Sequence, residues 1–148
     1  MSRRQTMPKQ WLIIVDQPDW CAIQRLPRRA GVIVLSPLTA ANDRRLRNVA
    51  RAGDLRVEFE WAGKGARVHD MRELRQALLR RVPLILLSPL YPTASHPDWH
   101  PIARMRAATL AGLAGRRAIA LGGMNQKRFA KIAPLGFIAW AGVSAFRT

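Results

Sequence analysis

Ala118-Ile119-Ala120-Leu121-Gly122-Gly123-Met124-Asn125 is the stretch on which the fold turns. Four apolar residues suit a buried strand, two glycines end it, and Asn125 is a residue type that opens helices. Glycines at the carboxyl end of a strand let the backbone approach a ligand closely. Their N–H groups, together with a helix terminus, can cradle an anion. One unit later, Trp140-Ala141-Gly142-Val143-Ser144 repeats the order of strand, glycine and hydroxyl. A lone Gly-Gly after a strand is no more than a tight turn. Two such elements one unit apart carry more, because barrel enzymes commonly bind phosphate at their last two strand–helix loops.

Working outward, apolar runs alternate with helical patterns through most of the chain. The run from Leu12 to Asp16 predicts a buried strand, and Asp19 can cap a short helix through Leu26 that Pro27 closes. Gly31 to Ser36 reads as a second strand. Thr39 or Asn42 can cap a helix to Ala52, with Leu46, Val49 and Ala50 as its apolar stripe and Gly53 at its end. Leu55, Val57, Phe59 and Trp61 alternate with Arg56, Glu58 and Glu60, which predicts a strand with one polar face. Residues 66–68 make a doubtful strand. Met71, Leu74, Leu78 and Leu79 form the next helix face, and Leu84 to Ser88 is a strongly apolar strand. A proline-rich loop follows to Pro101. Ile102 to Leu113 and Asn125 to Ile132 are helical, and Phe137 to Ala141 is a final strand.

This strand–helix–strand repetition indicates parallel βαβ units. No tandem repeat, low-complexity tract or linker divides the chain, so residues 1–148 are expected to form a single domain. An open doubly wound sheet and a (β/α) barrel both fit the alternation. A full eight-unit barrel normally needs at least about 200 residues. The expected class is therefore α/β, a shortened or incomplete (β/α) TIM-like barrel with parallel strands. It has lost at least one unit, or a homo-oligomer completes it.

Composition narrows the setting. Nearly half the 148 residues are apolar, which suits a globular chain with a real core. The longest apolar stretch, Val82 to Leu90, contains two prolines and a serine and is too short to span a membrane. Arg3, Arg4 and Lys9 ahead of an apolar run mimic a signal peptide only briefly, since Asp16 ends the run. A single cysteine, Cys21, suits a reducing compartment, and a cytoplasmic location is expected. Lys and Arg number 25 against 9 Asp and Glu, a formal net charge of +16. Such a field attracts phosphates or nucleic acid. The arginines are spread over several helices without interleaved aromatics, as solvated faces would be. Nucleic acid stays the alternative partner on charge alone.

The loop Ser88-Pro89-Leu90-Tyr91-Pro92-Thr93-Ala94-Ser95-His96-Pro97 follows the most apolar strand. It belongs at the carboxyl face, where barrel active sites lie, and Thr93, Ser95 and His96 bring donors for a phosphate or a polar heterocycle. This loop resembles the Phe-x-Thr-x-(Ser/Thr)-(Lys/His) loop of the thiamine phosphate synthase/TenI family. Ala118 to Met124 resembles that family's Ala-(Ile/Leu)-Gly-Gly-(Ile/Met) turn, and Ala139 to Ala145 its Gly-(Ile/Val)-Ala-x-(Val/Ile)-Ser-(Ala/Gly) ending. Ala66-Arg67-Val68-His69-Asp70 resembles its Ser-x-His turn before a helix. The motifs occur in the family's order over residues 66–146, and before residue 66 only the strand pattern matches.

The resemblance implies a barrel and a ligand of thiamine assembly. Family synthases join a pyrimidine pyrophosphate to a thiazole phosphate with Mg²⁺ and expel pyrophosphate; TenI-type relatives tautomerise the thiazole or bind its products. Carried over by motif, Thr93, Gly122, Gly123, Val143 and Ser144 would hold the thiazole phosphate. Ser95 and His96 would position substrate, and Arg67 would offset charge on the leaving pyrophosphate.

Departures from the family pattern set the expected mechanism. The second strand, Val32-Ile33-Val34-Leu35-Ser36, lacks the Gln-x-Arg-x-Lys cluster that holds pyrophosphate in synthases. The fourth-strand unit that brings metal-binding aspartates looks deleted. Asn42-Asp43-Arg44 superficially matches an aspartate motif of the family but stands at a helix start. Glu58 and Glu60 could replace the metal ligands, although a solvated or salt-bridged face is the simpler reading. A TenI-type catalytic histidine would fall at Pro89, which transfers no proton. His96, Asp98 and His100 are separated by prolines that prevent a helical ligand pair, so no metal site is expected from them. Mg²⁺ is implied only if synthase activity is retained. Cys21 is expected to be buried beside a helix, and Trp61 and Trp140 to fill core. The expectation is a protein binding a thiazole phosphate or thiamine phosphate, with synthase catalysis weak or lost. The alternative is a basic nucleic-acid-binding protein on a degenerate barrel.

Overall fold

A computed structural model describes residues 6–94, 96–143 and 145–146. Its strands are β1 (Gln10–Ile14), β2 (Gly31–Val34), β3 (Arg56–Phe59), β4 (Gly65–Val68), β5 (Leu84–Leu87), β6 (Ala118–Leu121) and β7 (Ala139–Gly142). The helices are α1 (Trp20–Gln24), α2 (Ala40–Gly53), α3 (Met71–Leu79), α4 (Arg104–Ala114) and α5 (Gln126–Ile132). All strand pairs are parallel, in the order β3-β2-β1-β7-β6-β5-β4. Pairing of β1 with β7 curls the sheet, so the architecture is a shortened TIM-like barrel. The stretch read as doubtful, residues 66–68, lies within β4.

Two-residue periodicity sorts the strand side chains onto two faces. Trp11, Ile13, Ile33, Leu84, Leu86, Ile119, Ala139 and Ala141 form one buried cluster inside the curl. Their neighbours face outward toward the helices. Leu12, Ile14, Val32 and Val34 share a cluster with Leu46 of α2, while Ile85, Leu87, Ala118 and Ala120 share one with Leu74 and Leu110 of α3 and α4. Burial on both faces explains why β2 and β5 read as unbroken apolar runs. Inside, the Trp11 ring occupies the place where a side chain at Gly31 would stand: a Cβ there would overlap the ring.

The break in the barrel falls between β3 and β4. Residues 60–64 join them through a 3₁₀ turn at Glu60–Ala62, with no crossover helix. A parallel pairing needs a crossover of about a dozen residues or more, so these two strands cannot ladder to each other. They stand instead at opposite edges of the sheet. By alternation with Val57, Phe59, Ala66 and Val68, which pack outward, the inward residues at the break are Arg56, Glu58, Gly65 and Arg67. Charge replaces the apolar filling found elsewhere in the curl. Arg56 Nε pairs with Glu58 at 2.9 Å and Arg67 Nη2 with Glu60 at 2.9 Å.

Helix starts follow local side-chain chemistry. Asp19, Thr39, Asp70 and Asn125 each accept a hydrogen bond from the backbone N–H three residues on, satisfying an orphan donor of the first turn. Several expectations are corrected. Thr39, not Asn42, caps α2, and Asp43 instead pairs with Arg47 one turn later at 2.8 Å. That carboxylate, by hydrogen bond and charge, holds the Arg47 guanidinium above its ordinary pKa. Leu79 is 83 % exposed, because the buried stripe of α3 runs through Leu74 and Ala77. Trp61 is 55 % exposed, since β3 ends at Phe59 and the 3₁₀ turn carries Trp61 out of the sheet. Cys21 is exposed, because Ala22 and Ile23 take the buried side of α1. Trp140 is buried as expected. Among the described residues, no helix is long and apolar enough to cross a membrane.

Candidate active site at the carboxyl ends of the strands

The loop after β5 docks directly onto the turn after β6. Ser88 N–H donates to Val68 O at 3.1 Å, and the Ser88–Pro89 peptide is cis. Beyond it, Leu90 N–H donates to Leu121 O and Tyr91 N–H to Gly122 O, both at 3.1 Å. Ile102 N–H returns to Pro89 O at 2.7 Å and closes the base of the loop.

This docking explains the paired glycines. Gly122 and Gly123 have φ of +101° and +61°, in the region that favours glycine. A Cβ at Gly122 would stand 2.7 Å from Pro89 Cα, and one at Gly123 would stand 2.6 Å from Pro92 O. The side of both glycines on which a Cβ would stand is filled by residues 89–92. Their missing side chains therefore admit the neighbouring loop. The turn after β7 adjoins the same place: a Cβ at Gly142 would lie 3.6 Å from Met124 O. Three strand ends thus converge.

The predicted site residues divide. Thr93 and His96 are brought together, with Thr93 Oγ1 accepting from His96 N–H at 3.0 Å. Val143 packs its side chain against the inner cluster, so a ligand contact from it would come through its backbone. Ser95 and Ser144 lie outside the described residues. Arg67 sits at the barrel break, where its described ion-pair partner is Glu60 rather than a residue of the β5 loop.

Trp99 and Arg128 at this end were not singled out from the sequence, and His69 was quoted only as part of a turn. Trp99 stacks on the His96 ring with centroids 3.9 Å apart and meets the edge of His69 at 5.5 Å. The His69 Nδ1 lies 3.2 Å from Glu73 Oε1, one helical turn on, so Glu73 orients the imidazole. Arg128 donates to Gly123 O at 2.5 Å and lies 4.7 Å from the Tyr91 ring centre, a cation held at the glycine turn. Its spacing from Asn125 is only that of an ordinary first helical turn, which is why nothing in the sequence set it apart.

The residues present do not fit a Mg²⁺ ion. A hard cation needs several oxygen ligands, and among the described residues no group of three or more His, Cys, Asp or Glu could hold a metal. Glu58 and Glu60 are each engaged by an arginine; Glu60 Oε2 is buried without a hydrogen-bond partner, but one oxygen is not a metal site.

No protein-family model matches the chain, and no curated protein matches it. Solved structures do. A thiamine phosphate pyrophosphorylase from Pyrococcus furiosus superposes with a TM-score of 0.74 at 16 % identity, over 97 % of this chain and 89 % of that one. A thiamine phosphate pyrophosphorylase from Bacteroides thetaiotaomicron superposes with a TM-score of 0.58 at 13 % identity, over 94 % of this chain and 84 % of that one. With the parallel curl, the strand order and the converging turns already in place, these likenesses establish that the chain has the thiamine phosphate synthase/TenI-like fold in a divergent, shortened form.

Proposed function

We propose that the chain, as one thiamine phosphate synthase/TenI-like unit over residues 1–148, binds a thiazole phosphate or thiamine phosphate at the carboxyl ends of its strands, with synthase turnover weak or lost. The supporting observation is the convergence of the β5 loop with the turns after β6 and β7. In this reading Thr93, Gly122, Gly123, Val143 and Ser144 hold the phosphate, and Ser95 and His96 position the organic part. Arg67 would offset charge on a leaving pyrophosphate only after releasing Glu60, which holds it at 2.9 Å. The engaged carboxylates and the purely apolar second strand are the physical grounds for weak or absent turnover. A cytoplasmic site of action belongs to the same reading. Self-association belongs to it too, because β3 and β4 leave unpaired edges; a stable monomer in sedimentation velocity removes that part.

The test is titration of the full chain with thiazole phosphate and with thiamine phosphate, followed by tryptophan fluorescence. Beside it runs a turnover assay with pyrimidine pyrophosphate, thiazole phosphate and Mg²⁺. Saturable binding that Thr93→Val weakens, with little turnover, is expected. Absence of binding to either phosphate sinks the ligand assignment, and robust turnover sinks the loss of catalysis. Oligonucleotide affinity that falls steeply with salt, with no thiamine phosphate binding, would favour the nucleic-acid alternative.

A further inference from the structure

We propose a second anion site at the opposite end of the barrel, built to take a phosphorylated organic molecule of nucleotide size. The segments that lead into β1, β2 and β3, residues 6–10, 27–30 and 54–56, border an open cavity of about 910 Å³. Because every strand is parallel, this mouth lies at the amino ends, a strand's length from the turns after β5, β6 and β7.

Four cations, Lys9, Arg28, Arg29 and Arg56, and one carboxylate, Asp54, line the cavity, and Arg56 is balanced by Glu58 beside it. Asp54 does little to neutralise them. It lies 4.0 Å from Arg29 Nε, and both side chains are well exposed to solvent. Two of these residues are held in uncommon backbone conformations, Arg29 at φ +68° and Asp54 at φ +55°. Arg29 N–H donates to Asp54 O at 3.0 Å and ties the two turns together. The left-handed turn at Asp54 is the cap that ends α2, and it presents the carboxylate at the cavity rim. Arg56 is ion-paired with Glu58 at 2.9 Å and lies 5.7 Å from the Trp11 ring centre, so the unbalanced charge at this mouth belongs to Lys9, Arg28 and Arg29.

Like charges on adjoining segments repel, and an anion bound among them offsets that repulsion. A lone phosphate would fill a small fraction of this volume, which is in the range of pockets for drug-sized ligands. Met7 and Leu55 supply an apolar wall beside the cations. A molecule with two or three phosphates and an organic group satisfies both halves of the lining. The site is independent of the carboxyl-end ligand and would let a second metabolite bind without competing for it.

Calorimetric titration of the full chain with adenosine triphosphate tests this, with inorganic triphosphate and a short single-stranded oligonucleotide as further probes. The variants are Lys9→Glu and Arg28→Glu, both exposed and outside the left-handed backbone region. The nucleotide is expected to bind more tightly than inorganic triphosphate. Each charge reversal should weaken it by about tenfold or more, with melting temperature unchanged and no displacement by thiamine phosphate. Four results would overturn the site: no nucleotide binding at millimolar concentration, affinity indifferent to both reversals, displacement by thiamine phosphate, or tighter binding of the oligonucleotide through the same residues. Equal affinity for inorganic triphosphate would overturn the organic-ligand assignment.

Discussion

Glu60 Oε1 accepts a hydrogen bond from Arg67 Nη2 at 2.9 Å across the break between β3 and β4. In a closed barrel a strand would occupy this position. Here this ion pair joins the two sides, and the inner faces of the edge strands carry charge in place of apolar side chains.

The two halves of this pair are unequal, which leads to the first prediction. Glu60 keeps 16 % of its side chain exposed, against 47 % for Arg67. Removing Arg67 strands a largely buried carboxylate, whereas removing Glu60 leaves a cation that water can reach. Arg67→Ala should cost about 2–3 kcal/mol and Glu60→Ala about 1 kcal/mol or less. Urea unfolding of both variants checks the order, and equal losses would contradict it.

Two glycines predict opposite outcomes. Gly122→Ala combines φ +101° with a Cβ 2.7 Å from Pro89 Cα, and that backbone is pinned by hydrogen bonds to Leu121 and Gly122. A loss of about 2 kcal/mol or more, with release of the β5 loop, is expected. Gly112 lies within α4, exposed, and an added methyl there would meet only open space. Gly112→Ala should stabilise by about 0.5–1 kcal/mol. Thermal melts of the pair should move in opposite directions.

Gly31 and Trp11 form a size-complementary pair inside the curl. Gly31→Ala drives a Cβ into the Trp11 ring, so the largest inward side chain must move. A loss of about 3 kcal/mol is expected from overpacking. A smaller ring should relieve it. If Trp11→Phe in the Gly31→Ala background recovers no stability relative to Trp11→Phe alone, the clash is not the cause.

Asp70 caps α3 through Glu73 N–H at 2.8 Å, and Glu73 in turn meets His69 at 3.2 Å. Asp70→Ala should therefore cost about 1 kcal/mol, while Asp70→Asn, an equally good cap, should cost little. Equal melting temperatures for the Ala and Asn variants would show that the cap contributes nothing.

How far the sequence could be read depended on the range of each interaction. Leu84–Leu87 was legible as a strand because parallel strands covered on both faces need unbroken apolar runs. Three helix starts were legible from their caps, with one ambiguity at Thr39 and Asn42, because capping is decided within four residues, while the cap at Asp70 was not singled out. Gly122-Gly123 was legible as a special turn, but its occupant was not: the glycines answer to Pro89 and Pro92, more than thirty residues upstream. Leu79, Trp61 and Cys21 were misplaced because where a strand ends and which residues of a helix are buried come from packing: β3 stops short of Trp61, and the buried sides of α3 and α1 pass Leu79 and Cys21 by.

By itself the sequence determined the alternation of strands and helices, the parallel class and the turns that resemble a phosphate-binding end. Those follow from local periodicity, capping chemistry and glycine's backbone freedom. Tertiary structure alone decided where the barrel opens, that Arg67 is held by Glu60, and that Trp99 and Arg128 stand at the carboxyl face. Strand order and ion pairing join residues distant along the chain, and no local pattern records which distant partner a side chain will meet.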